Sequence, residues 1–181
     1  MPIQIIEDTR IMHSLYRLGQ NKKLIDAAAN GDVRKIKKAL SHGAEINAKD
    51  NGDWTKKIYL SIPKELKGLT ALMNASAGGK TAAVVFLLEK GANVNATNDN
   101  GQTALFGASA AGHSKVVRAL LEHSADLEAR DEFGNNALFY AYQSGDAETI
   151  DIIKAEGRYA TEISESIKRG QEALGRLRRV L

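Results

Sequence analysis

The chain contains no cysteine and only two prolines in 181 residues. The first absence excludes a disulfide scaffold, a thiolate nucleophile and any zinc site built on Cys. It fits a reducing compartment such as the cytoplasm. Aromatic residues make up 6% of the chain, with a single Trp, so an aromatic side chain outside the apolar pattern marks an unusual place. Long apolar runs are missing too. No segment approaches the roughly eighteen consecutive apolar residues of a membrane helix. The first twenty residues interrupt their apolar positions with Glu7, Asp8, Arg10 and Arg17, unlike a secretory signal. At this length, one domain with a continuous core is expected.

Neither sign of charge dominates, and the net charge is +3. The distribution is uneven. Residues 1–67 carry thirteen Lys and Arg against eight Asp and Glu, residues 68–160 seven against eleven, and residues 161–181 five against three. A chain basic at both ends and acidic in the middle can orient a charged partner. It lacks the concentrated basic surface of a nucleic-acid binder, so nucleic acid is disfavoured as a partner.

What the sequence does have is a phrase that recurs every thirty-three residues: Thr70-Ala71-Leu72-Met73, Thr103-Ala104-Leu105-Phe106 and Asn136-Ala137-Leu138-Phe139. The same spacing relates Gly79, Gly112 and Gly145. It also relates Gly91-Ala92-Asn93-Val94-Asn95-Ala96 to Ser124-Ala125-Asp126-Leu127-Glu128-Ala129. Units this short cannot bury their own apolar faces and must stack along one axis. Within the unit beginning at Gly101, residues 103–109 supply small and apolar side chains at helical spacing, and Ala111-Gly112-His113 breaks the pattern. Val116, Val117, Leu120 and Leu121 form a second helical stripe. Asp126 to Asn135 then holds the turn-forming residues Asp131, Gly134 and Asn135, which predicts a short hairpin-like loop.

This helix–turn–helix plus β-turn unit resembles the ankyrin repeat family. The resemblance is carried by Gly101, Thr103, Leu105, Ala108, Gly112, His113, Val116, Val117, Leu120 and Leu121, and by their counterparts at Gly68, Thr70, Leu72, Ala75, Gly79, Val84 and Leu87. A worn copy follows at Gly134, Asn136, Leu138, Ala141, Gly145, Ile150 and Ile153. Leu24, Ala27, Ala28, Gly31, Ile36, Leu40, Gly43 and Ala44 match the second unit at an offset of forty-eight, which implies fifteen added residues. The expected architecture is therefore all-α with short hairpin loops, a solenoid of four units with terminal capping helices. Its parts are an N-terminal cap at 1–19, a degenerate repeat at 20–52, an insertion at 53–67, repeats at 68–100, 101–133 and 134–160, and an amphipathic helix at 161–181. The family's Pro is replaced by Ala71, Ala104 and Ala137, and its signature His by Met73, Phe106 and Phe139.

Terminal units need cover on their outer faces. Asp8 is placed to cap a helix bearing Ile11, Leu15 and Leu18, with Gly19 as its stop signal. Ile163, Ile167, Leu174, Leu177 and Leu181 give the C-terminal segment an apolar stripe opposite Lys168, Arg169, Arg176, Arg178 and Arg179. It reads either as a lid on the fourth unit or as a docking helix.

No arrangement for catalysis emerges, and the expectation is a non-enzyme without metal or cofactor. Gly78-Gly79-Lys80-Thr81 imitates the end of a phosphate-binding loop, but Asn74 stands where that loop requires Gly, and no strand precedes it. His42, His113 and His123 occupy turn and helix-end positions. Asp131 and Glu132 are adjacent on a loop, the ordinary pattern of a solvated turn.

The resemblance implies recognition by hairpin tips and inner helices, and thus a protein partner. Carried over by position, the expected contacts are Lys49, Asp50, Asp99, Asn100, Gln102, Glu132, Phe133, Asn135 and Gln143. Phe133 either anchors a partner or tucks against the next unit. Trp54 and Tyr59 of the insertion, set among Lys56, Lys57 and Leu60, extend the surface or fold back on it. Tyr142 stands where Ala28, Ser76 and Ser109 are small, facing a groove or filling space beside the C-terminal helix. The function expected is a monomeric protein–protein interaction module of adaptor type. The alternatives are an inhibitor or immunity-type protein that blocks an enzyme, and a structural subunit attached through the C-terminal basic helix.

Overall fold

The computed structural model describes residues 9–50 and 68–157, with side chains from residue 13 onward. Four helix pairs follow one another: α1 (Thr9–Asn30) with α2 (Val33–Ser41), α3 (Ala71–Ala77) with α4 (Thr81–Glu89), α5 (Ala104–Ala110) with α6 (Ser114–Glu122), and α7 (Ala137–Ser144) with α8 (147–157). The first helices form an inner row in which α1 packs on α3, α3 on α5 and α5 on α7, while α2, α4 and α6 form the outer row. No strand occurs among the described residues; Lys49 and Thr70 make one isolated antiparallel bridge.

Each repeated phrase marks a helix start. Ala71, Ala104 and Ala137 are the first residues of α3, α5 and α7, where the family's Pro would stand and where Ala, the best helix former, serves as well. Thr70 Oγ1 accepts the Met73 amide at 3.3 Å, and Met73 Sδ accepts the Thr70 amide at 3.4 Å. The thioether thus takes the reciprocal role of a capping-box Glu. Asn136 Oδ1 accepts from the Phe139 amide at 3.1 Å, Asp32 Oδ1 from Lys35 at 3.0 Å, and Asp146 Oδ2 from Thr149 at 2.8 Å.

The second helices bury the stripe that the sequence predicts. Ile36, Val84, Leu87, Val117 and Leu120 are fully buried against Leu24, Leu72 and Leu105 of the inner row. At roughly 1.5–3 kcal/mol for each large side chain buried, stacking supplies what no single unit holds. Polar ties cross the same joints. Asn47 Oδ1 accepts the Asn93 amide at 2.8 Å, and its counterpart Asn95 accepts the Asp126 amide at 2.9 Å. His113 Nε2 lies 3.1 Å from the Ala77 carbonyl. Its ring approaches Gly79 so closely that a Cβ there would stand 2.8 Å from it, and Gly79 has φ +66°. The tempting Gly-Gly-Lys-Thr string is the turn between α3 and α4.

The N-terminal cap differs from expectation. Gly19 does not stop a helix: α1 runs unbroken through it, and Gly19 lacks the positive φ that a terminating Gly needs. A mid-helix Gly costs about 1 kcal/mol relative to Ala, and the buried Leu24, Ala27 and Ala28 hold the same helix to the core. Leu15 and Leu18 are 58% and 41% exposed, so they do not close over the first unit. Asp8 and Ile11 fall outside the residues whose side chains are described, as does the expected stripe from Ile163 to Leu181.

Candidate protein-binding surface

The hairpin tips are built on one residue position. Asn98 Oδ1 accepts the amides of Asn100 and Gln102 at 3.0 and 2.8 Å. One repeat later, Asp131 Oδ1 accepts those of Phe133 and Asn135 at 3.0 and 2.8 Å. A side chain acting as the turn's own acceptor closes each tip locally. Asp50 occupies the equivalent position and is likewise buried. Its amide donates to the Leu69 carbonyl and its carbonyl accepts from the Gly68 amide, both at 2.8 Å. The chain therefore departs after Asp50 and returns at Gly68, at the base of the first tip. Among the expected contacts, Asp50 thus ties the base of the first tip through its backbone and has little surface to offer.

A side-chain relay joins the tips to the inner row. Asn98 Nδ2 donates to Gln102 Oε1 at 3.0 Å, Gln102 Nε2 donates to the Tyr140 hydroxyl at 3.1 Å, and that hydroxyl donates to Asp131 Oδ2. Burial pushes the Asp131 carboxyl up, but donors from Tyr140 and from the Asn135 and Phe133 amides outweigh it and hold the group below the usual carboxylate range. Burial and the adjoining carboxylate raise the Tyr140 phenol, with Gln102 opposing. The solvated turn expected at Asp131 and Glu132 is correct for Glu132 alone. Asp131 is 6% exposed and is the hub of the relay.

Beside the relay lies a groove of about 240 Å³ between the tips and the inner helices. Met73 and Phe106, one repeat apart, form its apolar floor with Leu69, and Tyr140 closes one end. The Phe106 and Tyr140 rings stack at 5.5 Å, and Phe139 meets Tyr140 edge-on at the same distance. Gly107, Ala77 and Ala110 keep the groove open by their small size. The helices α3, α5 and α7 contain no charged residue at all. Charge is confined to the rim, where Asp99 and Glu132, again one repeat apart, are exposed and without an ion-pair partner among the described residues.

The expected contacts divide accordingly. Phe133 is 75% exposed at a tip, so it does not tuck against the next unit. Asn100 accepts the Glu132 amide at 3.0 Å and links the two tips, while Gln102 and Asn135 are half-buried in the relay. Lys49 is exposed beside the Thr70 bridge, and Gln143 is exposed on α7 away from the groove lining. Trp54 and Tyr59 lie outside the described residues. In the sequence, Met73 and Phe106 stand out only as replacements for the family's His, and Tyr140 does not stand out at all. Their common register, at or one residue past the family's His position, was the signal for the groove.

Among the described residues, no group of three or more His, Asp or Glu is placed to hold a metal ion. No described helix is long and apolar enough to cross a membrane. His42 and His123 turn Nδ1 back to the carbonyls of Lys38 and Ala119 at 2.6 and 2.8 Å, in keeping with helix-end roles.

Comparison with known proteins agrees with this geometry. Mouse M-phase phosphoprotein 8 is 37% identical over 81 residues, a stretch that is 45% of this chain and 8% of that protein. A family model describing ankyrin repeats in three copies matches residues 24–131 and, in a second placement, 72–164. Together those placements take in all four helix pairs, and the chain belongs to the ankyrin repeat family.

Proposed function

We propose that this chain is an adaptor-type recognition module that holds a segment of a partner protein along the groove between its hairpin tips and inner helices. The coarser statement follows from the family: ankyrin repeats are protein–protein interaction modules, and the family is generally non-catalytic. The observation that carries the finer one is the uncharged groove floored by Met73 and Phe106, one repeat apart, together with the exposed Phe133 at a hairpin tip. Aliphatic or aromatic side chains of the partner fill the groove. A partner lysine or arginine faces Asp99 and Glu132. The relay through Tyr140 fixes both tips before binding, which reduces the ordering cost of association.

The test is affinity capture from the source cell with wild type and with a Phe133→Ala, Ala110→Arg double variant. Both positions are exposed, so melting temperature should hold within the small range typical of surface changes. A stoichiometric partner kept by wild type and lost by the variant is the expected result. Equal retention on both, or no stoichiometric partner on wild type, refutes the groove as the recognition surface.

A further inference from the structure

A second concavity, independent of the groove just described, lies at the other end of the array. It opens between α1 and α2 and has a volume of about 510 Å³, within the usual range of ligand sites. It runs from Tyr16 and His42 at one end to Asn30 and Asp32 at the other. The fourteen helical steps from Tyr16 to Asn30 give it a length of about 21 Å along α1.

The register of the repeats shows what this face is not built to hold. Lys23 occupies the position of Ala71, Ala104 and Ala137, and Lys35 that of Ala83, Val116 and Thr149. All six counterparts are at most 1% exposed, buried under the preceding unit. Two ammonium groups at these positions would be desolvated by another apolar helix pair, at a prohibitive cost. Yet the face is not uniformly polar. Ala27 and Ala39 line it at 3% exposure each, and the Tyr16 ring is 53% exposed at its mouth.

The charge of the lining points to an anionic occupant. Lys35 is paired with Asp32 at 3.1 Å, whereas Lys23 and Lys38 have no ion-pair partner among the described residues; Asp26 is the one unpaired carboxylate in the lining. Gln20 also lines the cavity and offers it a polar side chain.

We propose that this face binds a short acidic helix of a partner protein. Its carboxylates meet Lys23 and Lys38, a polar group of it reaches Gln20, and small apolar side chains lie on Ala27, Ala39 and the Tyr16 ring. Helical form fits both the length and the shape, since the equivalent face of every later unit receives a helix pair.

The probe is a displayed library of random sixteen-residue peptides, panned on the full chain and counter-selected on a Lys23→Glu, Lys38→Glu variant. Both lysines are exposed, so the variant should melt as wild type does. The expected clones are rich in Asp and Glu, bind the variant at least ten-fold more weakly, and shift the Gln20 side-chain amide in nitrogen-15 spectra. The proposal is overturned if no clone discriminates, if discriminating clones are not acidic, or if their shifts map to Phe106 and Tyr140. It is also overturned if the variant melts lower and selects nothing, since the lysines would then serve the fold and not a ligand.

Discussion

Replacing Tyr140 with Phe isolates the relay from the packing around it. The ring keeps its stack on Phe106 and its edge contact with Phe139, both at 5.5 Å. What disappears is one hydroxyl, which donates to Asp131 and accepts from Gln102. A hydrogen bond to a charged group contributes about 1.5–3 kcal/mol. The Gln102 amide is half-buried, so water replaces much of that second bond. The expected loss is about 2 kcal/mol at pH 7, read from urea unfolding followed by circular dichroism.

The pH dependence distinguishes this account from lost packing. Asp131 has its folded pKa held down, so its contribution is present above the unfolded value near 4 and is lost as pH falls through the folded one. Tyr140 has its folded pKa raised, so its contribution is present below about 10 and is lost as pH rises through the folded value. Wild type should therefore lose more stability than Tyr140→Phe as pH falls from about 5 through the lowered Asp131 value, and again above about pH 10. Asp32 and Asp146 are also held down, each chiefly by hydrogen bonds at its helix start, and they titrate alike in both proteins. A loss below about 0.5 kcal/mol at pH 7, less than an ordinary hydrogen bond contributes, would refute the reasoning. So would an equal loss at both ends of the acid range.

Two further outcomes follow from the repeat geometry. Gly79→Ala should cost more than the roughly 1–2 kcal/mol of a left-handed non-Gly residue, because its Cβ would stand 2.8 Å from the His113 ring; Gly145→Ala, at φ +72° with nothing within 4 Å, should cost only that strain. Thermal melts of both, with His113→Ala added to relieve the first, check the difference. Removal of residues 158–181 should lower the melting temperature and increase binding of an apolar dye, because Leu138, Tyr142 and Ile150 stand where Leu105, Ser109 and Val117 are covered by the next unit. An unchanged melt would show that this segment does not cover α7 and α8.

The period of thirty-three was enough to place the helices, because each unit buries the same apolar positions and the phrase that starts each inner helix is a helix-start signal in its own right. Gly19 misled because a local stop signal worth about 1 kcal/mol was set against burial further along the same helix, which no local reading sees. Asp131 misled for a related reason. Adjacent carboxylates on a loop are commonly solvated, and only the register with Asn98 and Asp50 marks this one as a tip organiser. Phe133 and Tyr142 were legible as oddities, since each breaks the repeat, but exposure depends on neighbours that the sequence does not supply. The structure puts Phe133 in solvent and Tyr142 at 54% exposure under the Lys154 ammonium, 5.0 Å from its ring centre.

The uneven charge of the chain acquires a meaning once the units are stacked. The uncharged groove with its acidic rim belongs to units two to four, while the cationic end face belongs to unit one. Stacking holds these surfaces on one continuous core, from Leu24 through Leu72 and Leu105 to Ala137. Charge complementarity works mainly on specificity and on rate of encounter, and opposite signs sort ligands between the two surfaces. A segment drawn to Asp99 and Glu132 is repelled by Lys23 and Lys38, and the converse holds for an acidic helix. On the two proposals made above, ligands of opposite charge would not compete for the same surface, and that sorting is what the proposed adaptor role would require.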